Sequence, residues 1–249
     1  MQAGLWLSFV FGYQLIQDGA GRDRSQALTN GVRIMELERD LAHRLVELPI
    51  QGLTRDSRVL DLFTTLVYRG SEFVVVGLAL LWVYLHDHGA FPRLRNTLIV
   101  TNMLALVAFY VFPTAPPRAF GGLGFVDTVR GASGAGVGHG FELLPSNQYA
   151  AIPSLHSADA LIIGISLALL VRSRFAKLVW LLWAPVVWLS VIATANHFWL
   201  DVAAGIALAG IGAFVVEAAE ALKRASRARS PSGVGPAEVL EAGRSTLRP

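Results

Sequence analysis

Apolar residues in this chain are gathered into runs too long to need a water-facing side. A helix crosses a bilayer with about 20 mostly apolar residues, fewer when its flanks help. Six stretches qualify: roughly Ala3–Ile16, Phe73–Leu85 with a backward extension through Leu60–Val67, Thr97–Phe112, Ala158–Val171, Leu178–Ala195 and Trp199–Val216. The first is short. No basic residue precedes it, and the QDGAGRD that follows is a poor cleavage site, so it reads as a retained helix rather than a signal peptide. Between the first two spans, Ile34, Leu37, Leu41, Leu45 and Leu48 recur at helical steps, with Arg33, Glu36, Asp40, Arg44 and Glu47 between them. That period predicts an amphipathic interfacial helix over about 30–48, stopped by Pro49, with His43 solvated. The expected fold is all-α: a polytopic membrane helix bundle of about six spans in one domain, 1–222. An external Gly-rich loop over about 113–150 and a basic, disordered cytoplasmic tail, 223–249, complete it.

Composition agrees with the pattern. Hydrophobic residues make up 53% of the 249 and charged residues 16%, against about 25% charged in ordinary soluble domains. There is no cysteine, which excludes disulfide frameworks, thiolate nucleophiles and Cys-bound metal centres. The net charge of +3 lies largely in the tail, so it argues for membrane lipids as neighbours and not for nucleic acid. Arg93 and Arg95, then Arg172, Arg174 and Lys177, then Lys223, Arg224, Arg227 and Arg229 follow the even-numbered spans. The positive-inside rule therefore places those ends in the cytoplasm and the 113–150 loop outside, with the plasma membrane as the expected location. The Gly-rich loop lacks the Gly-Lys-Ser/Thr of a phosphate-binding P-loop.

Ionisable side chains at span ends are costly and so mark function. FPTAPPR (Phe112–Arg118), IPSLHSAD (Ile152–Asp159) and NHFWLD (Asn196–Asp201) all fall at the same, external ends of the expected spans. His197 and Asp201 stand four apart, where a carboxylate can hold an imidazole N–H and leave the other nitrogen as nucleophile or base. His156, from another helix, could protonate a leaving oxygen. Arg118 and Ser154, with the N–H groups opening the fourth span, suit phosphoryl oxygens. The set reads as phosphoryl transfer through a phosphohistidine. Two other classes use the same groups: a two-His-one-carboxylate metal site of His156, His197 and Asp201, and a transporter with a proton relay.

Pro-Ser-Leu-His-Ser, His-Phe-x-x-Asp-Val and FPTAPPR together resemble the type 2 phosphatidic-acid phosphatase superfamily, over about Asn30 to Gly205. They look most like its aureobasidin-resistance, inositol-phosphorylceramide-synthase branch. The resemblance implies a six-helix bundle and a mechanism without metal or cofactor. It implies His197 as nucleophile, Asp201 as its orienter and His156 as acid/base. The substrate would be a lipid phosphate, and the acceptor water or an inositol-like alcohol. Two family cations are replaced here, by Val111 and Val191, which leaves Arg118 as the main phosphate clamp and favours the synthase-like branch.

Overall fold

The computed structural model describes residues 24–129 and 148–229. The expected span Ala3–Ile16, most of the Gly-rich stretch with His139, and the tail beyond Arg229 lie outside the described residues. Within them the chain is all helical: α1 Arg24–Ala42, α2 Glu47–Arg55, α3 Arg58–Gly70, a π-helical turn Ser71–Val75, α4 Val76–His86, α5 Phe91–Val111, α6 Leu155–Leu170, α7 Arg174–Ala193 and α8 Trp199–Arg229. The sole strand-like feature among these residues is an isolated parallel bridge of Thr114 with Ala150.

Four helical segments are long and apolar enough to cross a membrane: Arg58–His86, Phe91–Val111, Arg174–Ala193 and Trp199–Arg227. Leu155–Leu170 is apolar and shorter, with 16 residues. The backward extension of the second span holds, because α3, the π turn and α4 form one unbroken rod. Exposed Phe63, Leu66, Phe73, Leu78, Leu181, Leu189 and Phe214 supply the bundle's lipid-facing exterior.

Lipid tails are as apolar as leucine, so the inner seams rely on close packing. The helix α6 packs along α7, and α8 lies against both α5 and α6. A Cβ on Gly205 would strike the backbone carbonyl of Ser154, and one on Gly212 would strike the Thr101 side chain. Small-xxx-small spacing predicts a seam on α8 through Gly205, Ala209 and Ala213. It runs instead through Gly205, Ala209 and Gly212, with Ala213 exposed.

Four expectations change. The amphipathic helix ends at Ala42, where exposed His43 turns into the left-handed region at φ 56°. Pro49 does not stop a helix: it sits in the first turn of α2, where its missing N–H costs nothing. Glu47, expected on the solvated face, is fully buried. At the other end, α8 runs through Lys223 to Arg229, into the stretch expected to be disordered. Its alanine-rich sequence and the Glu220–Arg224 pair at 3.7 Å support that last part of the helix.

Candidate active site

One end of the bundle collects the C-termini of α5 and α7 and the N-termini of α6 and α8. The FPTAPPR loop leaves α5 and is fixed by backbone bonds: Thr114 N–H to Tyr149 O (2.7 Å) and Ala151 N–H to Thr114 O (3.2 Å). The loop between α7 and α8 turns through Ala195, held left-handed at φ 54°. Arg118 locks these two loops together. Its backbone N–H donates to Ala195 O (2.9 Å) and its Nη1 donates to Asn196 Oδ1, while Asn196 Nδ2 donates to Thr194 Oγ1 (2.9 Å). Asp127 lies 3.7 Å from Arg118 Nε.

His197 follows directly and is buried. Its Nδ1 lies 2.8 Å from Ala151 O and 3.5 Å from Asp201 Oδ2. Both partners are acceptors, so Nδ1 carries the proton and Nε2 keeps its lone pair. Asp201 is fully enclosed, and its Oδ2 also accepts from Phe198 N–H (2.9 Å). His156, in the first turn of α6, brings its ring centroid 5.6 Å from that of His197. The Arg118 charge reaches the same imidazole. The bundle thus brings together His156, His197, Asp201 and Arg118. Ser154 is present in a different capacity: fully buried, it caps α6, with Oγ accepting from Ser157 N–H (3.3 Å) and its own N–H donating to Asp201 O (3.0 Å).

Such a set can attack an electrophilic phosphorus from Nε2 of His197, exchange a proton at His156 and balance anionic oxygens at Arg118. The metal alternative is poorly served. Among the described residues no group of three His, Asp or Glu side chains is placed to hold a metal ion. His197 Nδ1 and Asp201 Oδ2 are engaged instead with backbone groups.

Sequence reasoning misses two layers of this site. The first is the buried polar side of α1 and α2. Asn30 Nδ2 donates to Pro113 O (2.9 Å), and Gln51 donates to Val126 O (2.9 Å) and Ala193 O (3.3 Å). Glu38 accepts from Leu200 N–H and Glu47 from Trp199 N–H, both at 2.9 Å. A helix opens with N–H groups that lack partners in the helix. Here Glu38, Glu47 and Asp201 supply acceptors at the start of α8, next to His197. Burial pushes Glu38 up to about 9, with the Glu47 charge adding to the effect, and burial raises Glu47 as well.

An unfolded glutamate releases its proton near pH 4.5, while folded Glu38 keeps its proton up to about pH 9, so its contribution to stability is full below pH 4.5 and is lost as pH rises through about 9. Thermal unfolding in detergent should show Tm declining from pH 5 to pH 9. Glu38→Gln, which keeps the acceptor and cannot titrate, should flatten that decline; an unchanged slope would contradict the assignment.

The second missed layer surrounds His156. Glu72 Oε2 lies 3.3 Å from His156 Nε2, and the Tyr68 ring stacks on the imidazole at 4.5 Å. One turn further along α6, buried Asp159 accepts from Asn102 Nδ2 (3.0 Å). A carboxylate inside an apolar run is the signal that marks Glu72 in the sequence.

Comparison with known proteins adds the family. A family model described as PAP2 superfamily matches residues 32–215, well over half of the chain. No curated protein matches the sequence. The crystal structure of Aquifex aeolicus LpxE is similar at 19% identity with a TM-score of 0.49, covering 70% of this chain and 98% of that one. The chain belongs to the PAP2 superfamily and is an integral-membrane phosphatase of the type 2 phosphatidic-acid phosphatase kind.

Proposed function

We propose that the chain transfers the phosphoryl group or phospho-headgroup of a lipid phosphate through a phosphohistidine on His197. The observation that carries this reading is the fixed tautomer, with Nδ1 held by Ala151 O and Asp201 and Nε2 left as the nucleophile. Nε2 attacks phosphorus and the phosphorus–oxygen bond to the lipid breaks. His156 gives the leaving oxygen a proton. The carboxylate of Asp201 offsets the positive charge that the phosphorylated imidazole gains. Arg118 balances the phosphoryl oxygens, and Ser154 acts through the helix start that it caps. His156 then takes a proton from the acceptor, which attacks phosphorus and frees His197.

The acceptor is water or an inositol-like alcohol. Val111 and Val191 standing where the broad superfamily has cations supports the aureobasidin-resistance-like branch, and with it an alcohol acceptor. Domain 1–222 holds the site on the outer side of the plasma membrane, with the tail cytoplasmic. Supporting this orientation, Arg93 and Arg95 at the start of α5 and Arg174 and Lys177 at the start of α7 lie at the opposite end from His197.

The test is phosphate release by detergent-purified protein from phosphatidate, sphingoid-base phosphate, ceramide phosphate and polyprenyl phosphate, with EDTA present and inositol added or omitted. Release that survives EDTA is expected, as is formation of an inositol-containing lipid on the alcohol-acceptor reading. Loss of all turnover on chelation, or no release from any of these lipids, would overturn the proposal.

A further inference from the structure

Glu72 lies outside the FPTAPPR, IPSLHSAD and NHFWLD segments, yet it touches one of the two histidines. It lies in a largely apolar helical rod, directly before Phe73, Val74, Val75 and Val76, with Arg69 one turn back and Asp61 near the start of the rod. A carboxylate in the middle of such a run is costly unless something engages it. The structure engages it with His156 at 3.3 Å, the two side chains retaining 20% and 12% exposure. The local backbone is also unusual. Residues Ser71–Val75 form a π-helical turn inside an otherwise α-helical span, a feature often found at functional positions. Tyr68, four residues before Glu72, covers the imidazole face.

We propose that Glu72 is the positioning residue for the general acid, holding His156 by Nε2 and keeping one proton between that nitrogen and its own carboxyl. With Nε2 turned to Glu72, Nδ1 is the nitrogen left to face the leaving oxygen. As the phosphorus–oxygen bond breaks, the Nδ1 proton passes to that oxygen and Nε2 takes the proton from the Glu72 carboxyl. In the second half-reaction water or alcohol gives a proton to Nδ1, and Nε2 returns its proton to Glu72. The pair begins and ends with the same proton count. No imidazolium need persist in a poorly solvated site, where an isolated charge is expensive. Each histidine then has its own carboxyl partner, Asp201 at His197 and Glu72 at His156.

Other groups bear on this pair. His197 and Arg118 face His156 from the α7–α8 loop and the FPTAPPR loop, Tyr68 faces it from α3, and Asp159 on α6 lies within electrostatic reach of Glu72.

This assignment rests on the phosphohistidine reading, and leaving-group chemistry separates the two. An alkyl oxygen needs a proton to depart; p-nitrophenolate scarcely does. Phosphatidate and p-nitrophenyl phosphate are hydrolysed by wild type and Glu72→Gln in the same micelles, across pH 5 to 9. The variant should lose at least about tenfold more kcat on phosphatidate than on p-nitrophenyl phosphate, as loss of general-acid assistance would give. Its alkaline limb on phosphatidate should move down by about one pH unit or more, the size of shift that an adjacent carboxylate produces. KM should change little. Glu72→Asp, which retains the acid, should recover part of the loss. An equal loss on both substrates with an unmoved pH profile would assign Glu72 to structure alone and overturn the proposal. Wild type inactive on both substrates and on the other lipid phosphates would overturn the phosphohistidine reading, and this one with it.

Discussion

His197→Ala is expected to abolish turnover, lowering kcat by about ten-thousand-fold or more, the scale on which loss of a covalent nucleophile acts. The same substitution should leave the bundle folded. Its structural cost is an unpaired Ala151 carbonyl and a small cavity, about 1–3 kcal/mol, at a loop also tied by Arg118 to Ala195 O and by Glu38 and Glu47 to the start of α8. Radiolabelled lipid phosphate should mark wild type with an acid-labile, alkali-stable phosphoryl group, and the variant should carry no label. A variant that retains activity or label would refute His197 as the nucleophile.

His156→Gln should lower kcat on phosphatidate by about a hundred- to ten-thousand-fold, the range for a general acid–base group. Its behaviour with p-nitrophenyl phosphate is the sharper test. Formation of the phosphohistidine then needs no protonated leaving oxygen, whereas its breakdown still needs a base to activate water. Labelled phosphoenzyme should therefore accumulate in this variant, with a burst of p-nitrophenolate before slow turnover. No burst and no accumulated label would place His156 outside the second step. Together the two variants separate the nucleophile from the proton donor, since one forms no intermediate and the other cannot clear it.

The residues legible in the sequence are those whose signal is local. His197 and Asp201 are one helical turn apart, and His156 opens an apolar run. Alignment of the span ends is enough to bring these and Arg118 to one end of the bundle from the sequence alone. Glu72 escapes for a narrow reason. It falls in the polar gap Tyr68–Glu72 between the two apolar stretches Leu60–Val67 and Phe73–Leu85, where a carboxylate inside the rod looks like a flank. Glu38 and Glu47 escape for a broader one. A helical-period reading treats acids between leucines as a solvated face. The partners that draw these two inward are backbone N–H groups at Leu200 and Trp199, 162 and 152 residues away. Nothing in the local pattern announces a distant helix start that lacks acceptors. The same holds for Pro49, whose meaning depends on whether a helix is ending or opening there. Ser154 adds a role that the motif does not announce: a hydroxyl beside a candidate catalytic histidine suggests ligand binding, and in the fold it caps α6.

The shortness of α6 has a consequence for the lipid as well as for the protein. Sixteen residues rise about 24 Å, whereas the hydrocarbon layer of a typical bilayer is about 30 Å thick. In the proposed orientation, with Arg172, Arg174 and Lys177 anchoring its far end, α6 would stop short of the opposite headgroup plane, and His156 with it. The phosphate must sink, or the leaflet must thin, before the two meet. Bilayer thickness thereby enters the kinetics as a geometric variable: shorter acyl chains bring the headgroup plane down to the histidines, and longer ones lift it away.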